Sequence, residues 1–239
     1  NMSDDIVDIE DLDTSSDIEL PSDRQKQRPP EQREYIPKID SFKDYYRKKG
    51  THWSQRPDLA IVPGSFKPPH RGHYEMILKY SVLAREVLVL ISAPSAKSER
   101  KTKDGKVITP EAAKKILKLY TNHLPNVSIE ISSIPSPVGA TYAELEYEQH
   151  VNKKIALGAS KKGNDWKRWK GAIDWAEKKE LPIQIVDPEL TAVSVVSKPD
   201  GTPYSASNIR DNFDNPEKVK QDLPKHVDPV EVYGILKKL

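Results

Sequence analysis

The sequence predicts an α/β fold, a Rossmann-like parallel sheet of about five strands flanked by helices, behind a disordered acidic N-terminal tail. Three observations carry that expectation. Short apolar runs alternate with longer amphipathic segments, the pattern of a sheet covered on both faces. Helix-start and turn residues punctuate the junctions. No run approaches the roughly 20 apolar residues of a membrane span. Cys is absent, which removes disulfides, thiolate metal sites and a Cys nucleophile.

The tail covers residues 1–40. Nine of the 36 acidic residues lie in 1–23, where there is no Lys or Arg. Rich in Asp, Ser, Gln and Pro, the segment cannot bury enough surface to offset its ordering entropy. Its scattered Ile and Leu leave two readings: a solvated arm, or a peptide that docks a protein partner or lies over the rest of the chain. Without those nine acids, 27 acidic residues face 38 Lys and Arg, an excess of 11 positive charges. Such a body draws phosphorylated ligands or nucleic acid. Residues 41–57 read as a linker with a short helix over 41–49 capped by Ser41. The acidic start lacks the basic and apolar regions of a leader, so a cytoplasmic protein with no membrane attachment is expected.

The domain proper spans 58–239. Leu59–Pro63 is its first strand, His70–Ala84 a helix and Glu86–Ser92 a buried strand. A basic loop, Ala93–Val107, leads to a helix opened by Thr109-Pro110-Glu111, with Thr as cap and Pro in the first turn. Val127–Ile131 is the third strand, Thr141–Val151 a helix, and Lys154–Leu157 a strand ended by Gly158. Asn164–Lys179 reads as helix, Ile183–Val186 as strand and Ala192–Ser197 as a further strand; Ser205–Asn212 and Pro229–Lys238 are helices. Ligands of such sheets lie beyond the carboxyl ends of the strands, where the winding reverses. Chemistry is therefore sought in the loops that follow strands.

After the first strand the chain reads Gly64-Ser65-Phe66-Lys67-Pro68-Pro69-His70-Arg71-Gly72-His73. This composition suits a polyphosphate site. Gly64 lets backbone approach a phosphate, and the two prolines aim the chain into a helix. His70 and His73, three apart, share a face of the first turn and join its free N–H groups. Gly72 leaves room for a base or ribose, and Lys67 and Arg71 add charge. Zinc is a poor alternative for the pair, because no Cys or nearby acid completes a ligand set.

The segment resembles the GxFxPxHxGH signature of the nucleotidyltransferase superfamily, which includes cytidylyltransferases, nicotinamide-nucleotide and pantetheine-phosphate adenylyltransferases, and FAD synthetases. Gly64, Phe66, Pro68, His70, Gly72 and His73 match, while Lys67 stands where many members carry Asp or Gln. The resemblance runs from Asp58 to Leu239 and implies the HUP-type nucleotidyltransferase fold. It also implies a second signature, ISxTxxR, at a helix start. Tyr204-Ser205-Ala206-Ser207-Asn208-Ile209-Arg210 fits it, with Tyr for Ile and Ser for Thr. Ser205 and Ser207 would offer hydroxyl and N–H donors there, and Arg210 would reach back one turn to phosphate oxygens. Members often take a cation from the loop after the second strand, here Lys97 or Arg100. The loop after Lys154–Leu157 commonly contacts nucleotide or acceptor, which singles out Ser160, Lys161, Asp165 and Trp166, the last as a stacking ring.

The resemblance implies transfer of a nucleoside monophosphate from ATP or CTP to a small phosphorylated acceptor, with pyrophosphate leaving. His70, His73 and Arg210 would be catalytic. Gly64, Ser65, Phe66, Lys67, Gly72, Lys97, Arg100, Ser205 and Ser207 would surround the phosphates. Mg²⁺ would ride on substrate oxygens, with no protein ligand named. Two rivals stand beside this expectation: a non-catalytic nucleotide-binding module of the same fold, and an RNA- or DNA-binding protein using the basic body.

Overall fold

The computed structural model describes residues 56–195 and 197–239. The expected tail and the 41–49 helix lie outside the described residues. Five parallel strands form one sheet: β1 Leu59–Gly64, β2 Glu86–Ile91, β3 Val127–Ile131, β4 Lys154–Leu157 and β5 Gln184–Ile185. Their order is β3-β2-β1-β4-β5, so the winding reverses between β1 and β4. The helices are α1 Arg71–Leu83, α2 Pro110–Thr121, α3 Pro137–Leu145, α4 Ala172–Lys178, α5 Pro188–Thr191, α6 Ala206–Asn212, α7 Pro216–Val219 and α8 Pro229–Lys237.

The apolar runs form a two-faced sheet because successive side chains of a strand point opposite ways. Ala60, Val62, Val87, Val89, Ile91 and Ala156 enter one core, with Tyr74 and Ile77 of α1, Ile116 and Tyr120 of α2, and Leu236 of α8. Leu59, Ile61, Leu88, Leu90, Ile155 and Leu157 enter the other, with Leu145 of α3, Trp169, and Ala176 of α4. Each large side chain buried this way contributes about 1.5–3 kcal/mol. In register, Ile61 lies between Leu88 and Leu157, which centres β1 in the sheet.

Thr109 caps α2 as expected, its side chain accepting from the Ala112 N–H, with Pro110 in the first turn. Other boundaries differ for local reasons. The helix expected over Thr141–Val151 starts earlier, because Ser136 accepts from the Gly139 N–H and Pro137 opens the first turn. It ends at Leu145, and a 3-10 turn covers Glu148–His150. The helix expected over Asn164–Lys179 is two pieces. Gly163 and Asn164 sit in the left-handed region (φ 61° and 56°) within a 3-10 segment, Lys162–Trp169, and α4 begins only after Gly171. The described residues of the strand expected at Ala192–Ser197 make one bridge, Val193 to Ser160. The basic loop has structure of its own, a 3-10 turn at Ala96–Ser98 and a tight turn in which Thr102 N–H donates to the Lys106 carbonyl.

Candidate active site

The loop that leaves β1 folds over its own glycine. Phe66, buried and at φ 52°, lays its ring where a Cβ on Gly64 would fall, 2.8 Å from the ring's Cζ. Gly64 thus admits an aromatic ring rather than an open path to a ligand. Beyond Phe66 the chain enters α1 through an unusual cap. The His70 N–H donates to Nδ1 of His73 at 3.0 Å, and the Gly72 N–H donates to Nδ1 of His70 at 3.0 Å. Two donors of the helix start are met by imidazoles, and the rings stack with centroids 3.8 Å apart. The His73 ring also meets the edge of Phe66.

This geometry sets protonation. Burial pushes His70 down to about 4, with Lys198 adding to the shift and Asp222 opposing it. Burial and the neighbouring His70 hold His73 well below the ordinary value. Both rings are neutral at pH 7. Since each Nδ1 accepts a hydrogen bond, the ring proton sits on Nε2. The pair therefore offers two uncharged N–H donors.

Lys67 departs from the role its charge suggested. Its ammonium is buried and donates to the Ser98 carbonyl at 2.7 Å and the Ser98 hydroxyl at 3.1 Å. Desolvation and the nearby Arg100 lower its pKa. The Lys67 carbonyl accepts from Arg210 Nη1 at 2.6 Å. One residue thus ties the first loop to the loop after β2 and to the second signature. Lys97 and Arg100 are exposed, and Arg100 donates to the adjacent Glu99 carbonyl. Ser65 pairs with Ser92 at the end of β2.

Ser205 caps α6, its hydroxyl accepting from the Asn208 N–H and lying 2.9 Å from the Ser207 hydroxyl. Behind it sits Asp222, fully buried, a residue that the sequence did not single out. Its carboxylate accepts from the Ser205 N–H, the Asn208 amide and the Lys198 ammonium.

In the loop after β4, Asp165 accepts from the Ser160 N–H, a contact that shapes the loop. Lys161 is exposed, and Trp166 packs against the second core. Gly158 ends β4 because a Cβ there would lie 2.8 Å from the Ile61 carbonyl. Its own carbonyl accepts from Arg168 and Trp169.

His70, Gly72 and His73 meet Ser160 across a cavity of about 230 Å³, completed by Met76, Lys162, Val195, Ser197, Pro203 and Tyr204. The cavity lies where the sheet winding reverses. Tyr204 closes it against α1, lying under the Arg71 guanidinium at 5.5 Å. Of the expected base or acceptor contacts only Ser160 lines it. Tyr204 was legible as part of the second signature; Met76 and Val195 carried no chemical signal.

The fold and this site define an α/β domain with its cleft at the point where the parallel sheet reverses, and sequence comparison supplies the family. The profile of the cytidylyltransferase-like family matches residues 61–212, and the chain belongs to that family. Among curated relatives, the phosphopantetheine adenylyltransferase of Micrococcus luteus is 43% identical over 53 residues, 22% of this chain and 34% of that protein. The enzyme of the same name from Bdellovibrio bacteriovorus is 33% identical over 73 residues, 30% of this chain and 41% of that protein. The similarity thus spans well under half the length of these relatives. A bifunctional NMN adenylyltransferase/ADP ribose pyrophosphatase from Francisella tularensis aligns over 76% of this chain and 49% of its own. Its identity is 18% and its TM-score 0.44. A second structure of a bifunctional protein so described from that organism, complexed with AMP and a Mn ion, aligns with a TM-score of 0.45 at 15% identity, over 75% of this chain and 52% of that one.

Proposed function

We propose that the chain is a nucleotidyltransferase that moves a nucleoside monophosphate from an NTP to a small phosphorylated acceptor and releases pyrophosphate. The observation that carries this reading is the stacked, neutral His70–His73 pair at the start of α1, beside the second-signature segment at the point where the sheet reverses. Family membership and the adenylyltransferase names of the relatives support it.

In this reading an acceptor oxygen attacks the α-phosphorus in line and pyrophosphate leaves. The protein positions the groups and stabilises the charge that develops. His70 and His73 donate Nε2–H bonds to oxygens of the α- to β-phosphate region. Neutral donors suit this task, since they strengthen as charge builds without holding the product as tightly as a fixed cation. Ser205, Ser207 and Arg210 meet the β- and γ-phosphates. Arg210 uses one of its five N–H donors on the Lys67 carbonyl and keeps others for phosphate. Lys97 and Arg100 serve the acceptor phosphate, and Lys67 acts as the strut that holds their loop. The nucleoside enters the cavity between Gly72, Met76, Ser160 and Tyr204.

Among the described residues no group of three or more His, Asp or Glu side chains converges on a metal-sized site. In this reading Mg²⁺ would enter as part of the Mg-NTP substrate, bound by phosphate oxygens and water.

The test is pyrophosphate release with Mg²⁺, crossing ATP, CTP, GTP and UTP against phosphopantetheine, nicotinamide mononucleotide, phosphocholine, glycerol 3-phosphate and FMN. Turnover with one pair is expected. The absence of both turnover and NTP binding by calorimetry contradicts the proposal.

A further inference from the structure

Asp222 lies in the 3-10 turn Lys220–Asp222, beyond the region that the family profile matches. It is fully buried, and nothing in the transfer chemistry calls for it. Oδ1 accepts from the Ser205 N–H at 2.7 Å and pairs with the Lys198 ammonium at 2.9 Å; Oδ2 accepts from the Asn208 amide at 2.6 Å. Lys198 stands at the foot of a tight turn, its N–H donating to the Thr202 carbonyl and its carbonyl accepting from the Gly201 N–H. The Lys198 side chain is 14% exposed. The residue before it, Ser197, lines the cavity with His70, and both Lys198 and Asp222 act electrostatically on the His70 ring.

A buried ion pair is weak evidence of stabilisation, because well-packed apolar residues commonly serve as well. Its position therefore needs another explanation. We propose that Asp222 is a positioning residue of the transfer site, holding Lys198 beside His70 as a phosphate-binding cation and fixing the Ser205–Asn208 segment to the same anchor. This rests on the proposed nucleotidyl transfer and adds to it a polyphosphate contact that neither signature contains. The cation is fixed in advance, so the polyphosphate need not order a flexible lysine on binding.

The experiment uses the full chain and inorganic tripolyphosphate, measured by calorimetry beside thermal melts. Lys198→Met and Asp222→Asn are each expected to weaken binding about tenfold. Asp222→Asn also lowers Tm, since it leaves the partly buried Lys198 ammonium without its carboxylate. The double variant removes both charges, so Tm recovers toward wild type while affinity stays about tenfold down rather than a hundredfold. Affinity that recovers together with Tm, or wild-type affinity in either single variant, overturns the inference and leaves the transfer reading standing. A folded wild type with no tripolyphosphate affinity likewise overturns the inference, while the transfer reading falls only if turnover and NTP binding are both absent.

Discussion

His70 and His73 remain neutral because they are buried at a helix start, and this governs how the molecule meets acid. Unfolded, each imidazole protonates near 6.5; folded, His70 resists until about 4. Between those values the unfolded chain takes up protons that the native state refuses, so stability falls as pH drops from 6.5 towards 4. Above 6.5 both states are neutral and the pair adds no pH dependence. His70→Asn keeps a side-chain acceptor at the cap and is expected to flatten that slope in urea melts from pH 7 to 4.5. An unchanged slope contradicts the assignment. Gly72 makes a second residue-scale test. A Cβ there would lie 2.8 Å from His70 Cε1, while Ala is the better helix former by about 1 kcal/mol. Gly72→Ala should keep or raise Tm and lower kcat on the order of tenfold by displacing the ring. Equal kcat would mean the ring yields without consequence. The histidines were legible because an i, i+3 pair at a glycine- and proline-framed helix start has few other uses. Gly64 and Lys67 were less so. Residue type told the chemistry each could do, but a ring folding back from Phe66 and a carbonyl at Ser98 are partners that only the folded loop supplies.

Among the elements, α1 does most to build the site, and it is braced from behind. Tyr120 of α2, fully buried, donates its hydroxyl to the Pro69 carbonyl at 2.9 Å, one residue before the His70 cap. His226 Nε2 in turn lies 2.8 Å from the Tyr120 carbonyl. Tyr120→Phe should cost about 1 kcal/mol of stability and lower kcat more than it raises KM, because it loosens the loop that aims His70. Stability loss with unchanged kcat would reduce Tyr120 to packing. Strands and long helices could be read from the sequence, since period and burial coincide in β1, β2, α1 and α2. The 162–178 region could not. Three tryptophans at helical spacing imitate a helix, while left-handed Gly163 and Asn164 break it so that Trp169 reaches the Gly158 carbonyl. The start of α3 at Ser136-Pro137 carried its signal openly, a cap followed by Pro, but the apolar pattern drew the boundary later. Asp222 was hidden for another reason: 17 residues separate it from Ser205 in a polar stretch, and only the fold joins them.

At the scale of the whole molecule, the sheet order brings the loops after β1 and β4 to one cleft, and the chain beyond β5 returns to close it with Ser197 and Tyr204. That convergence brings together two signatures far apart in the sequence, with Arg210 bonded to the Lys67 carbonyl as their physical joint. The order of the elements made this expectation possible before any coordinates, because alternating strands and helices with right-handed crossovers allow few other arrangements. The base and the acceptor were not legible, since base selection depends on loop backbone geometry that residue types and their spacing do not reveal. In the proposed reaction the neutral histidine pair stabilises the transferring nucleotidyl group at its α-phosphorus. Single-turnover kinetics with the responding NTP and acceptor pair, comparing wild type with His73→Ala, test it most directly. The expected loss is about 10²–10³ in the chemical step, with the fold and most nucleotide affinity retained. Wild-type turnover in a folded His73→Ala protein would contradict it.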